Sequence, residues 1–173
     1  MTTKAVKTPE QLLAELENLD IQSTTIAHEA VMTVEDNRAQ RGAISGRHSK
    51  NLFLKDKKKQ LWLVVAEEGR PIDLKHLRRL LGVSNLSFAN PDALLNALGI
   101  LPGSVTPFAI INDCDHQVRV VLDKDLTGKG AVSFHPLINT MTTTITGDDL
   151  LIFLRAMSHE PLIIDFSNDG DNT

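Results

Sequence analysis

The chain has 173 residues, is 42% hydrophobic and 23% charged, and carries a formal net charge of -4, the composition of one globular domain with enough chain to bury a sizeable core. A net-negative chain is no general binder of polyanions, so any contact with nucleic acid has to come from a local basic face. The single cysteine, Cys114, excludes an intrachain disulfide and a paired-cysteine zinc site and fits a reducing, cytoplasmic setting; "MTTKAVKTPEQ" lacks the apolar core of a signal peptide, and no apolar run approaches the roughly 20 residues of a membrane-spanning helix.

Residues 1–7 read as an N-terminal extension, residues 8–166 as one domain, and the polar tail 167–173, "SNDGDNT", as disordered. Thr8-Pro9-Glu10-Gln11 starts a helix: Thr8 caps, Pro9 suits the first helical position, and Gln11 completes a capping box. Leu12, Leu13, Leu16 and Leu19 continue it with one buried stripe. "QSTTIAH" reads as a short strand, and "TVEDNRAQR" as a polar helix capped by Thr33 and ended by the glycines of "GAISG". "KNLFLKD" and "QLWLVVA" are two strands joined through "KDKKKQ" as a hairpin. "DLKHLRRLLG" is a helix closed by Gly82, "LSFA" a short strand, and "PDALLNALG" a helix that starts after Asn90 and stops at Gly99. "LPGSVTP" is a loop, since two prolines and a glycine permit little else. Strands are expected at "FAIIND", "QVRVVLD", "AVSFHP", "TMTTTIT" and "PLIIDF", with a turn near Asp113 to Asp115. A helix "GDDLLIFLRAMSH" carries acids at its positive end. Several neighbouring strands have connections too short for a parallel crossover. The fold class is therefore α/β, one domain around a mixed, strongly curved sheet.

Residues 47–59 hold six of the eighteen Lys and Arg residues, and they are not equivalent. Side chains alternate along a strand, so Lys50 shares a face with Leu52 and Leu54, and Asn51 with Phe53 and Lys55. The partner strand is apolar on both faces and so buried on both. Lys50 thus projects at the edge of a covered surface, where a lysine either meets an anion and lines a cavity, or snorkels to water and pairs with an acid. Lys55, Lys57, Lys58 and Lys59 cluster at the turn, either as a solvated, edge-protecting loop or as a contact for phosphates. No helix is basic along one face, which argues against a reader of double-stranded DNA.

The six histidines, His28, His48, His76, His116, His135 and His159, contain no HxxxH pair and no accompanying carboxylate cluster, so no metal site is expected. His135, before a proline at a strand end, either faces a cleft or is structural. GxSxG and the Walker P-loop are absent, which removes support for acyl-enzyme serine chemistry and P-loop nucleotide hydrolysis. Cys114 has nothing nearby to activate it. Gly103-x-x-x-Pro107 makes a stiff loop whose backbone groups either hold a small polar ligand or only connect two elements.

Taken together, "GRHSKNLFLKDKKKQLWLVVA", "LSFANPDALLNALGILPGSVTPFAIIND" and "SFHPLINT…TTTI…DLLIFLRAMSHEPLIIDF" resemble the YbaK-like aminoacyl-tRNA editing family, which includes the editing insertion domain of bacterial prolyl-tRNA synthetase and its free-standing relatives. The resemblance runs from about Thr8 to Phe166. It implies that family's barrel-like fold, no cofactor, and hydrolysis in trans of the ester that joins a wrong amino acid to tRNA(Pro), with Ala-tRNA(Pro) the substrate and Cys-tRNA(Pro) or another mischarged tRNA the alternative. A non-catalytic tRNA- or DNA-binding module is the alternative of another class. The family's functional strand lysine maps onto Lys50 as the catalytic residue, and its GxxxP loop onto Gly103, Ser104, Val105, Thr106 and Pro107. Asn51 and His135 match further site positions, and Val31 and Met32 would help wall the pocket. Lys57, Lys58 and Lys59 would touch the acceptor stem. The implied partners are the acceptor end of mischarged tRNA(Pro) and, as recruiting protein, prolyl-tRNA synthetase or an elongation factor. Oligomeric state and strand order are not legible.

Overall fold

The computed structural model describes residues 5–29 and 47–166. The polar helix expected at "TVEDNRAQR", its glycine stop, the wall residues Val31 and Met32, and the tail lie outside the described residues.

Helix α1 (Pro9–Asn18) begins with the expected box: Gln11 N–H donates to Thr8 Oγ1 at 3.1 Å, and Thr8 N–H donates to Gln11 Oε1 at 2.9 Å. Its stripe is sealed through Leu12 and Leu16, both 0% exposed, each contributing about 2 kcal/mol by burial. Strand β1 (Thr24–Ala27) follows, then β2 (Arg47–Lys55) and β3 (Leu61–Glu67), paired antiparallel as the hairpin pattern requires. Helix α2 (Leu74–Leu81) ends on Gly82 at φ 69°, where a side chain would be strained. Strand β4 (Ser87–Phe88), helix α3 (Pro91–Leu98), β5 (Val118–Asp123), β6 (Ala131–Phe134), β7 (Met141–Thr146), helix α4 (Gly147–Ala156) and β8 (Leu162–Ile164) complete the order.

The described strands form one mixed sheet in the order β1-β7-β6-β2-β3-β5-β8, with β4 attached to β2. Pairings β6/β2, β3/β5 and β5/β8 are parallel; the others are antiparallel. Both faces of the β2–β3 region are covered. Phe53, Leu63 and Val65 join the main core with Val132, Phe134 and Ile145 and with helices α1, α3 and α4. Leu54, Trp62 and Val64 join a smaller core with Val121 and Leu77 of α2. This double burial is what the apolar run of β3 demands.

One expected strand is not a strand. "FAIIN" of "FAIIND" lies within a 3-10 helix, Pro107–Asn112, with Asp113 as its C-cap, and "LPGSVTP" contains a shorter one, Pro102–Ser104. Thr106 caps the longer helix by accepting from Phe108 N–H at 3.3 Å. Asn112 fixes its end, donating to Leu98 O at 2.9 Å and accepting from Lys7 N–H at 2.9 Å. Phe108, Ala109 and Ile110 are buried together, so a short apolar run carried no period to separate strand from helix. The turn beyond it is held by Asp113, which accepts from Gln117 and Val118 N–H and from His159 Nε2 at 2.8 Å. Burial works to raise the Asp113 pKa, but these donors outweigh it and hold it below the ordinary value.

Candidate active site

Strand β2 is paired unequally along its two edges. One edge meets β3 from Ser49 to Lys55. The other is taken only at its ends, by β6 at Arg47 and His48 and by β4 at Leu54 and Lys55. Between those ends, Ser49 to Leu52 face no strand on that edge among the described residues. Lys50 and Asn51 sit in the middle of this gap and project from opposite sides of the sheet, because neighbours in a strand alternate.

Register assigns each side. Lys50 lies opposite Ala66, and Asn51 opposite Val65 of the main core. His48 lies beside Ser133 in the parallel pair, and Ser133 alternates with the core residues Val132 and Phe134. His48, Lys50 and Ser133 therefore share the face turned away from the main core. His135 joins that face: its Nδ1 donates to Met141 O at 3.0 Å, and its ring lies 6.2 Å from that of His28. His28 is in turn pinned by donating from Nδ1 to Glu29 O at 2.7 Å and by a 2.7 Å contact between Nε2 and Thr142 Oγ1. Continued by two residues, the β2/β6 register would set Lys50 beside His135. Pairing stops at Ser133, so the two strands do not pair at Lys50 and His135.

Lys50 is half-buried, and no described residue gives its side chain a hydrogen bond or an ion pair. A half-buried cation without a counter-charge is costly and attracts an anion or a developing negative charge. Burial, with His28 as a smaller like-charge neighbour, pushes the His135 pKa below its ordinary value against the opposing Met141 carbonyl bond. The ring is then neutral near pH 7, with the proton on Nδ1 and the lone pair on Nε2. On the other side of the gap, Asn51 donates from Nδ2 to Ser49 Oγ at 3.2 Å, while its Oδ1 is buried and accepts nothing. Such a group is expensive unless a ligand completes it.

The Gly103 loop is packed against the end of β6. Phe108 meets Phe134 edge-on at 5.6 Å, and a Cβ on Gly103 would lie 3.2 Å from Asn139 Nδ2. Gly103 is exposed, Val105 half-buried, and Ser104, Thr106 and Pro107 buried. The Thr106 hydroxyl is already committed to its cap, so its contribution is to loop shape. Lys50 and His135 thus share the face turned away from the main core, whereas Asn51 and the Phe108 end of the Gly103 loop lie on the main-core side. Met32 lies outside the described residues, and Lys57, Lys58 and Lys59 lie at the opposite end of the strand.

His28, His48 and Thr142 are additions to the face. His48 has a buried Nε2 with no hydrogen-bond partner, and its parity with Lys50, two residues on, was available from alternation alone. His28 and Thr142 carried no such signal, because their meeting depends on the β1/β7 pairing.

The aminoacyl-tRNA editing domain family matches residues 28–153. Prolyl-tRNA synthetase associated domain-containing protein 1 of Danio rerio is 42% identical over 153 residues, covering 87% of this chain and 83% of that protein. The prolyl-tRNA editing protein ProX of Acetoanaerobium sticklandii is 38% identical over 146 residues, covering 84% and 89%. The crystal structure of a proposed trans-editing enzyme for prolyl-tRNA synthetase superposes with a TM-score of 0.68 at 20% identity, over 93% of this chain and 98% of that one, a likeness of fold.

Proposed function

We propose, from the premise that the chain belongs to the aminoacyl-tRNA editing domain family, that it is a trans-acting deacylase of mischarged tRNA(Pro), with Ala-tRNA(Pro) as its substrate. The observation that carries this is the family match across the gap in β2, where Lys50, half-buried and with no side-chain partner among the described residues, shares a face with His135. The need for such an enzyme is energetic. Binding separates substrates that differ by one methylene by only ~1–3 kcal/mol, so a second, hydrolytic sieve is required. A pocket that admits alanine rejects the bulkier proline by exclusion.

In the proposed reaction a water oxygen attacks the ester carbonyl carbon. Negative charge builds on the carbonyl oxygen, the bond to the ribose oxygen breaks, and a proton passes to that leaving oxygen. Free amino acid and a tRNA 3′ hydroxyl result. Lys50 stabilises the developing oxyanion or holds the terminal nucleotide. Asn51, on the opposite side of the strand, shapes the site through its backbone position, and the backbone around Gly103 fixes the aminoacyl group in place. His135 Nε2, being neutral, accepts a hydrogen bond from the attacking water or the ribose hydroxyl that activates it.

Deacylation of Ala-, Cys-, Ser- and Pro-tRNA(Pro) tests the reading directly. Ala-tRNA(Pro) should be cleared and Pro-tRNA(Pro) spared. Preference for the cysteinyl ester would move the substrate assignment, and no turnover of any ester would leave a binding module.

A further inference from the structure

A cluster of basic residues that the active site does not use stands at the far end of the same strand. Asp56, 8% exposed, organises the β2–β3 turn: it accepts from Lys58 N–H at 2.8 Å, Gln60 N–H at 3.1 Å and Trp62 Nε1 at 3.1 Å. Its charge is thereby spent on backbone and indole donors, and Lys57, Lys58 and Lys59 are exposed around it. Lys57 N–H donates to Ser84 O at 2.9 Å, which ties the turn to the end of α2, where Arg78 and Arg79 occupy the last turn. On the other side Gln60 Nε2 donates to Gln117 O at 2.8 Å, and Arg119 stacks over Trp62 at 4.6 Å. Lys58, Lys59, Gln60, Trp62, Gln117 and Arg119 line an open cavity of about 520 Å³. In a chain of net charge -4, this end is cationic, and the exposed carboxylate on the adjoining turn is Asp115.

We propose that this hairpin end is a dock for the sugar-phosphate backbone of the tRNA acceptor stem; the inference rests on the deacylase reading for the identity of the nucleic acid. The spacing supports it. Five residues of strand separate Lys50 from Lys55, about 17 Å at ~3.3 Å per residue. A stacked nucleic-acid strand rises about 3.4 Å per nucleotide, so a 3′ end held at Lys50 reaches the hairpin in about five nucleotides, where the paired stem has begun. The lysines read charge and not sequence, and the Arg119–Trp62 stack adds a flat cation beside them.

Binding to uncharged tRNA(Pro) is measured as a function of salt for the wild type and for a Lys57→Ala, Lys58→Ala, Lys59→Asn variant; asparagine is chosen because Lys59 sits at φ 68°, a region that alanine tolerates poorly. Hydrolysis of a short alanyl-CCA fragment, too short to reach the hairpin, is followed in parallel. The variant should bind tRNA roughly tenfold more weakly at low salt, with a salt slope smaller by about three, and should hydrolyse the fragment like the wild type. An unchanged slope, or an equal loss on the fragment, overturns the dock. Hairpin-dependent binding without any hydrolysis by the wild type sinks the deacylase reading and leaves the dock standing.

Discussion

The two ends of β2 are both cationic, and they differ in how the charge is housed. Toward the end away from the hairpin, Lys50 sits half-buried in a gap between β6 and β4, with no side-chain partner among the described residues. At the hairpin end three lysines stand in solvent, on a turn whose geometry is secured by a buried aspartate. A desolvated charge interacts strongly with whatever develops beside it, whereas solvated charges act through screened, additive contacts. The first arrangement suits a chemical step, and the second suits holding a polyanion.

The sharpest way to break this contrast is at Lys50. Lys50→Met should lower turnover of Ala-tRNA(Pro) by about 10²–10³-fold while leaving the melting temperature unchanged or higher, since no described residue pairs the half-buried charge that it removes. Single-turnover kinetics beside thermal unfolding checks both halves, and full turnover would remove Lys50 from catalysis. Next in size is Asp56→Ala, which strips the indole N–H and two backbone donors of their acceptor. It should cost about 2–3 kcal/mol in denaturant unfolding and weaken tRNA binding, with the alanyl-CCA fragment still hydrolysed at the wild-type rate.

The third concerns His135. Its folded pKa is lowered, by burial first and His28 second, so the neutral ring persists below the ordinary value of about 6.5. The acid limb of the kcat profile should therefore fall below that value. The same shift makes His135 oppose stability in acid: as pH drops through the ordinary histidine range the unfolded chain takes up a proton that the folded chain does not. His135→Gln should flatten both dependences. The smallest effect is expected from His28→Gln, which removes only the like-charge neighbour and should move the acid limb slightly upward, toward the ordinary value.

Much of this was written locally. The Thr8–Gln11 box, the glycine stops at Gly82 and Gly99, and the β2–β3 hairpin needed no more than caps, turns and alternation, and each is found where those patterns place it. Alternation also separated Lys50 from the hairpin lysines, and the quoted motifs carried the family resemblance. Short buried segments were less legible: Pro107–Asn112 is apolar without a period, and its 3-10 form is set by Thr106, Asn112 and the surrounding phenylalanines.

What the sequence determined by itself is most of the described elements, the two-faced burial of β3 and the candidate lysine, because caps and alternation act over a few residues. What only the tertiary structure decided is the parallel placement of β6 beside β2, the gap that it leaves at Lys50, and the meeting of His135 with His28 and Thr142. Those arrangements join residues about a hundred positions apart. They follow from how sheet edges and apolar faces are satisfied over the whole domain, which no local pattern encodes.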